Sequence, residues 1–182
     1  MASLHCPIDD VLVVAVDIQP SFMSVIHEAE RVVSRSQFLI RCAQILGIPG
    51  LATIQNPAKM GGFDESFRVE SPISKMAFSC WGSGEFQNAL AQSGRKNVVL
   101  VGIETHICVT LTALDLMEAG YKVFVCPDAV SARNVERHKL GMERMRDSGV
   151  MASHTETLVY EWMKSADHPN FREVLKVVKE TP

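Results

Sequence analysis

Apolar runs alternate with segments of helical period along the whole chain. Residues Val11–Val16 (VLVVAV) form a near-continuous apolar run, which fits a parallel strand covered on both faces. Over residues 30–46, Val32, Val33, Ser36, Leu39, Ile40, Ala43 and Leu46 recur at helix spacing, and Gly47 and Pro49 stop the pattern. The same reading predicts strands over residues 51–55, 98–101, 122–126 and 150–152, with a short one near Ile73. Helices are predicted over residues 84–93, 108–119, 135–147, 155–163 and 171–178, with Gly94, Gly120 and Gly149 closing the first three. Residues 56–70 hold Pro57 and the pair Gly61-Gly62 without a period, which predicts a long loop, often a functional feature in compact domains.

Strands alternating with helices imply an α/β chain: a three-layer, doubly wound sandwich around a mostly parallel sheet with right-handed crossovers. Ligands in such sheets bind beyond the carboxyl ends of the strands, near the topological switch point. Three chemically capable residues fall at such ends: Asp17 after Val11–Val16, Lys75 in the segment SPISK, and Cys108 in the segment GIETHIC. A carboxylate, an ammonium and a thiol suffice together for nucleophilic acyl chemistry.

Each has a plainer reading. Helical cysteines are usually small buried hydrophobes, Asp17 precedes Gln19-Pro20-Ser21 and fits a turn, and most lysines are solvated. Convergence of the three on one end of the sheet favours the chemical reading. Cys108 at the start of a helix is expected to gain thiolate character from the dipole and free N–H groups, with Thr105 or Glu104 capping. Asp17 would take and return a proton, and Lys75 would favour the thiolate and a developing negative charge. His106 fits a pocket wall better than a base. Cys80 is a rival nucleophile, without a preceding strand.

Composition narrows the function classes. Of 182 residues, 47% are hydrophobic, enough for one folded domain over residues 1–182. The net charge of −3 carries no basic footprint, so nucleic acid is not expected as a ligand. No apolar run approaches the roughly 20 residues of a membrane span, and the first residues lack a secretory pattern. The five cysteines (Cys6, Cys42, Cys80, Cys108, Cys126) form no C-x-x-C pair, which favours free thiols in a reducing compartment over disulfides or structural zinc. A cytoplasmic protein is the expectation.

With these residues assembled, the chain resembles the isochorismatase-like cysteine hydrolases, most closely their isochorismatase-domain-containing subgroup. The motifs are Val14-Ala-Val-Asp17-Ile-Gln19, Ser74-Lys75-Met-Ala-Phe78-Ser, Val101-Gly-Ile-Glu-Thr-His-Ile-Cys108-Val, Thr112-Ala-Leu-Asp-Leu-Met-Glu-Ala-Gly-Tyr121 and Asp128-Ala-Val-Ser-Ala-Arg133. The resemblance implies a six-stranded parallel sheet and a triad of Asp17, Lys75 and Cys108. It also implies a cis peptide at Ile103–Glu104, and an oxyanion hole from the N–H groups of Glu104 and Cys108. Nicotinamidase members carry an Asp/His metal site after the second strand. Residues 53–62 (TIQNPAKMGG) hold neither Asp nor His, so no metal and no cofactor is expected.

The expected function is metal-independent hydrolysis of a small C–N (amide-like) bond through a Cys108 thioester. The alternatives are a non-enzymatic scaffold that keeps the triad and a thiol redox protein, the latter disfavoured by the lack of a paired cysteine. The pocket is expected to be small and mostly apolar, walled by Ile18, Phe22, Phe78, Trp81 and Ile103, with Gln19, Gln55 and His106 adding hydrogen bonds. Such a pocket suits an uncharged or weakly charged small molecule, and a dicarboxylate or phosphorylated compound would lack a cationic partner. Apolar Phe63, Phe67 and Trp81 near irregular segments suggest a surface for a homo-oligomer.

Overall fold

The computed structural model describes residues 4–181. In chain order its elements are β1 (Val11–Val16), α1 (Pro20–Met23), α2 (Ala29–Ile45), β2 (Gly50–Gln55), α3 (Pro57–Met60), β3 (Ile73–Lys75), α4 (Gly84–Ser93), β4 (Asn97–Ile103), α5 (Thr110–Glu118), β5 (Lys122–Ser131), α6 (Val135–Asp147), β6 (Met151–Ala152), α7 (Thr155–Met163) and α8 (Phe171–Glu180). The six strands form one all-parallel sheet in the order β3-β2-β1-β4-β5-β6. The doubly wound α/β class expected from the sequence is therefore the observed one.

The period of two in β1 divides the core. Val11, Val13 and Ala15 pack under α2, α7 and α8, whereas Leu12, Val14 and Val16 pack under α4, α5 and α6. All six are buried, which is why the run contains no polar residue. Each fully buried Val or Leu contributes about 1.5–3 kcal/mol. The strand order reverses between β1 and β4, so the carboxyl ends of these two neighbours flank the crevice of the sheet. Gly102 lines that crevice with φ of +111°; a Cβ there would run into the Val16 carbonyl, so the backbones of β4 and β1 close up only because the residue is glycine.

Some elements depart from the sequence reading. Residues 56–70 are not wholly irregular: α3 and a 3-10 turn, Glu65–Phe67, lie within them, each too short to show a period. The four-residue α1 escapes notice for the same reason. Strand β5 continues past Cys126 to Ser131. Its pairing with β4 shifts register between Leu100 and Gly102, and Pro127, which has no N–H to give, falls in the offset stretch. Among the described residues, no helix is long and apolar enough to cross a membrane.

Candidate active site

Asp17 follows the last residue of β1 and takes a left-handed backbone (φ 52°), a conformation Asp adopts more readily than most residues. Its N–H donates to the Thr53 carbonyl at 3.1 Å, tying it to β2. Both carboxylate oxygens are held: Thr53 Oγ1 donates to Oδ1 at 2.8 Å, and Lys75 Nζ donates to Oδ2 at 2.6 Å. The side chains of Lys75 and Asp17 are 0% and 2% exposed, so this is a buried ion pair. Such pairs persist where further hydrogen bonds satisfy the remaining valences. Lys75 Nζ also donates to Gln55 Oε1 at 2.7 Å and to the carbonyls of Phe78 and Ala77 at 3.0 and 3.3 Å.

Cys108 arrives from the other side of the crevice. The α-helix was expected to begin with it. Instead a π-helical turn, Thr105–Val109, comes first and α5 starts at Thr110. The Glu104 carbonyl accepts the N–H groups of Ile107 (3.0 Å) and Val109 (3.2 Å), passing over that of Cys108. The turn is pinned by its threonines. Thr110 Oγ1 donates to the Thr105 carbonyl at 2.5 Å, and Thr105 Oγ1 lies 3.0 Å from His138 Nδ1 on α6. Helix α6 comes this close because residue 141 is glycine; a Cβ there would stand 2.8 Å from the His106 Cα. The Ile103–Glu104 peptide is cis.

The Cys108 thiol and the Asp17 carboxylate line the same cavity. Burial, first, and the Asp17 charge, second, push the thiol pKa up to about 12 from an ordinary 9.0, against the pull of Lys75. The expected thiolate is thus corrected. At rest the proton stays on sulfur, because desolvation and the Asp17 charge outweigh the Lys75 ammonium. Cys80, the rival nucleophile, is fully buried, 3.5 Å from Thr53 Oγ1, and pushed up to about 11, again by burial first. Lys75, expected to face a developing charge, turns its hydrogens to Asp17, Gln55 and the two carbonyls instead.

A cavity of about 80 Å³ opens beside these groups, lined by Asp17, Phe22, Gln55, Phe78, Ile103, Glu104, Ile107 and Cys108. Four expected wall residues are present: Phe22, Gln55, Phe78 and Ile103. The other four are not. Ile18 is buried in the core, and Gln19 is buried on Gln55 and Gly61. Trp81 packs edge-on against Tyr121 with centroids 5.7 Å apart. His106 is outside the cavity lining, its Nδ1 buried without a hydrogen-bond partner among the described residues, and burial lowers its pKa.

Sequence reasoning missed Ile107, Thr53 and Arg133, whose Nε meets Glu104 Oε2 at 3.0 Å. Thr53 was the most legible of these, since it shares a strand face with Gln55. Among the described residues, no group of three His, Cys, Asp or Glu side chains could hold a metal ion.

Comparison with known proteins agrees with this architecture. The chain is 31% identical over 172 residues to isochorismatase family protein 1B of Dictyostelium discoideum, covering 90% of this chain and 84% of that protein. The solved MAR1 ribonuclease of Caenorhabditis elegans superposes with a TM-score of 0.90 at 30% identity, covering 98% of this chain and 94% of that one. The Escherichia coli YcaC gene product, an octameric hydrolase of unknown specificity, superposes with a TM-score of 0.84 over the full length of both chains. At 20% identity that likeness speaks to the fold alone. Residues 11–157 match the isochorismatase domain. The chain belongs to the isochorismatase domain family.

Proposed function

We propose that the protein is a metal-independent cysteine hydrolase of a small, uncharged amide-like C–N bond, with Asp17, Lys75 and Cys108 as its catalytic triad. The observation that carries the reading is the buried Cys108 thiol sharing a cavity with a carboxylate that Lys75 and Thr53 hold from its two sides. As the sulfur attacks the carbonyl carbon, Asp17 takes the thiol proton. The oxyanion rests on the N–H groups of Glu104 and Cys108, the latter not taken by the Glu104 carbonyl. Asp17 then gives the proton to the departing amine, leaving an acyl group in thioester linkage to Cys108. Water, deprotonated by Asp17, attacks that carbonyl; the acid leaves and the proton returns to sulfur. A neutral resting thiol suits this sequence, because nucleophile and proton donor are generated in one transfer.

The apolar walls supplied by Phe22, Phe78, Ile103 and Ile107 favour an acyl group of a few heavy atoms. The ribonuclease activity named for the Caenorhabditis elegans relative finds no support in the charge here, a net −3 with the Lys75 ammonium buried. Turnover of a panel of small amides and carbamoyl compounds by the intact protein and by Cys108→Ala tests the proposal. Hydrolysis of at least one compound, lost in Cys108→Ala, is the expected result. Hydrolysis that survives the substitution would rule the mechanism out.

A further inference from the structure

Lys75 sets a positive charge beside the cavity, yet its hydrogens are all spoken for. An ammonium has three N–H groups. They serve Asp17 Oδ2 at 2.6 Å, Gln55 Oε1 at 2.7 Å and the backbone carbonyls of Phe78 and Ala77 at 3.0 and 3.3 Å. Gln55 is the partner that another side chain could have replaced, and it is held firmly. Its Nε2 donates to the Met76 carbonyl at 2.9 Å, which turns Oε1 toward Lys75. Its backbone is gripped by Gln19, whose Oε1 accepts the Gln55 N–H at 2.7 Å and whose Nε2 donates to the Gln55 carbonyl at 3.1 Å. Gln19 Nε2 also donates to the Gly61 carbonyl at 2.8 Å, tying the loop after α3 to the same clamp.

We propose that Gln55 is a specificity-determining residue: by holding the Lys75 ammonium turned away from the cavity, it makes the site select uncharged substrates over carboxylates. This rests on the reading of Cys108 as the reacting thiol. The amide oxygen occupies one Lys75 hydrogen without adding charge, so Asp17 and Lys75 remain a balanced pair. Arg133 lies outside the cavity lining, with its Nε on Glu104. An anion entering the cavity therefore meets Asp17 and apolar walls but no available cation, and a buried charge without a partner is disfavoured. A neutral amide of the same size meets no such penalty.

Iodoacetamide and iodoacetate test this on the full-length protein, because they match in size and differ in charge. The rate of each at Cys108, at about pH 8 where the free-cysteine reference begins to ionise, is followed by peptide mass spectrometry and divided by its rate with free cysteine. The wild-type protein should prefer iodoacetamide by about 30-fold after this correction, the scale of one missing charge-assisted hydrogen bond. Gln55→Met keeps the length but removes the acceptor, freeing a Lys75 N–H to swing toward the cavity; the preference should fall about 10-fold. Gln55→Glu adds a negative charge and should raise the preference above wild type.

Loss of packing alone would speed alkylation of Cys6, Cys42, Cys80 and Cys126 without moving the ratio. Equal ratios in wild type and Gln55→Met, or a corrected wild-type ratio near one, would overturn the proposal. If Gln55→Met does not fold, Gln55→Glu decides alone, and a ratio at or below wild type overturns it. Cys108 reacting no faster than the other four thiols would instead overturn the hydrolase reading, and this one with it.

Discussion

Asp17→Asn keeps the size of the side chain but removes the group proposed to take the Cys108 proton and return it to the leaving amine. Hydrolysis of any amide the protein turns over should fall about 100-fold or more, the usual scale for losing a general acid–base group. Retained turnover in this variant would show that the proton goes elsewhere. Lys75→Met leaves Asp17 buried without its partner. Breaking a buried pair from one side costs about 3–5 kcal/mol, which denaturant unfolding would read directly. The Cys108 thiol makes a pH prediction with a definite sign. Its pKa is raised from 9.0 to about 12 in the fold, so the folded state keeps the proton while the unfolded chain releases it. The resulting stability is fully present below pH 9 and is lost as pH rises toward 12. Thiolate absorbance of the native protein should therefore stay low near pH 9, and Cys108→Ala should lessen the fall in melting temperature across that window. Full thiolate absorbance at pH 9 with the fold intact would contradict the assignment.

At the scale of elements, the π turn Thr105–Val109 and helix α6 depend on each other. Gly→Ala inside an exposed helix ordinarily adds stability, because glycine costs backbone entropy. Gly141→Ala should do the reverse, since its Cβ would stand 2.8–3.0 Å from backbone atoms of His106 and Thr105. A loss of about 1–3 kcal/mol is expected, together with slower reaction at Cys108 as the turn shifts; a gain in melting temperature would show that α6 gives way freely. The strands and long helices were legible because burial imposes its period on the sequence: VLVVAV can serve only a strand covered on both faces. The π turn was not, because it arises from where N–H groups find acceptors rather than from any hydrophobic period. The pocket walls divide in the same way. Phe22 and Phe78 were found through closeness in sequence to the strand ends, but that rule also admitted Ile18 and Trp81, which face the core and Tyr121. Ile107, whose facing depends on the π turn, was out of reach.

For the whole molecule, the apolar surface is not where Phe63, Phe67 and Trp81 suggested. The two phenylalanines are buried against each other, with ring centroids 5.3 Å apart. The exposed apolar side chains include Met76 at 69%, Phe78 at 60% and Val25 at 58%, all close in sequence to Lys75 or Phe22. We expect the surface around Met76 and Phe78, the latter on the cavity wall, to associate with another copy of the chain, since exposed apolar surface commonly marks an interface. Light scattering should return a multiple of the 20.1 kDa chain mass, and Met76→Glu should lower it. A wild-type mass of one chain at micromolar concentration would count against association. The central claim is that Cys108 carries the acyl group, and intact-protein mass spectrometry of acid-quenched mixtures with small uncharged amides tests it most directly. The expected result is an adduct of the acyl mass on the peptide containing Cys108, released by hydroxylamine and missing from Cys108→Ala; amide hydrolysis with no adduct, undiminished in Cys108→Ala, would contradict it.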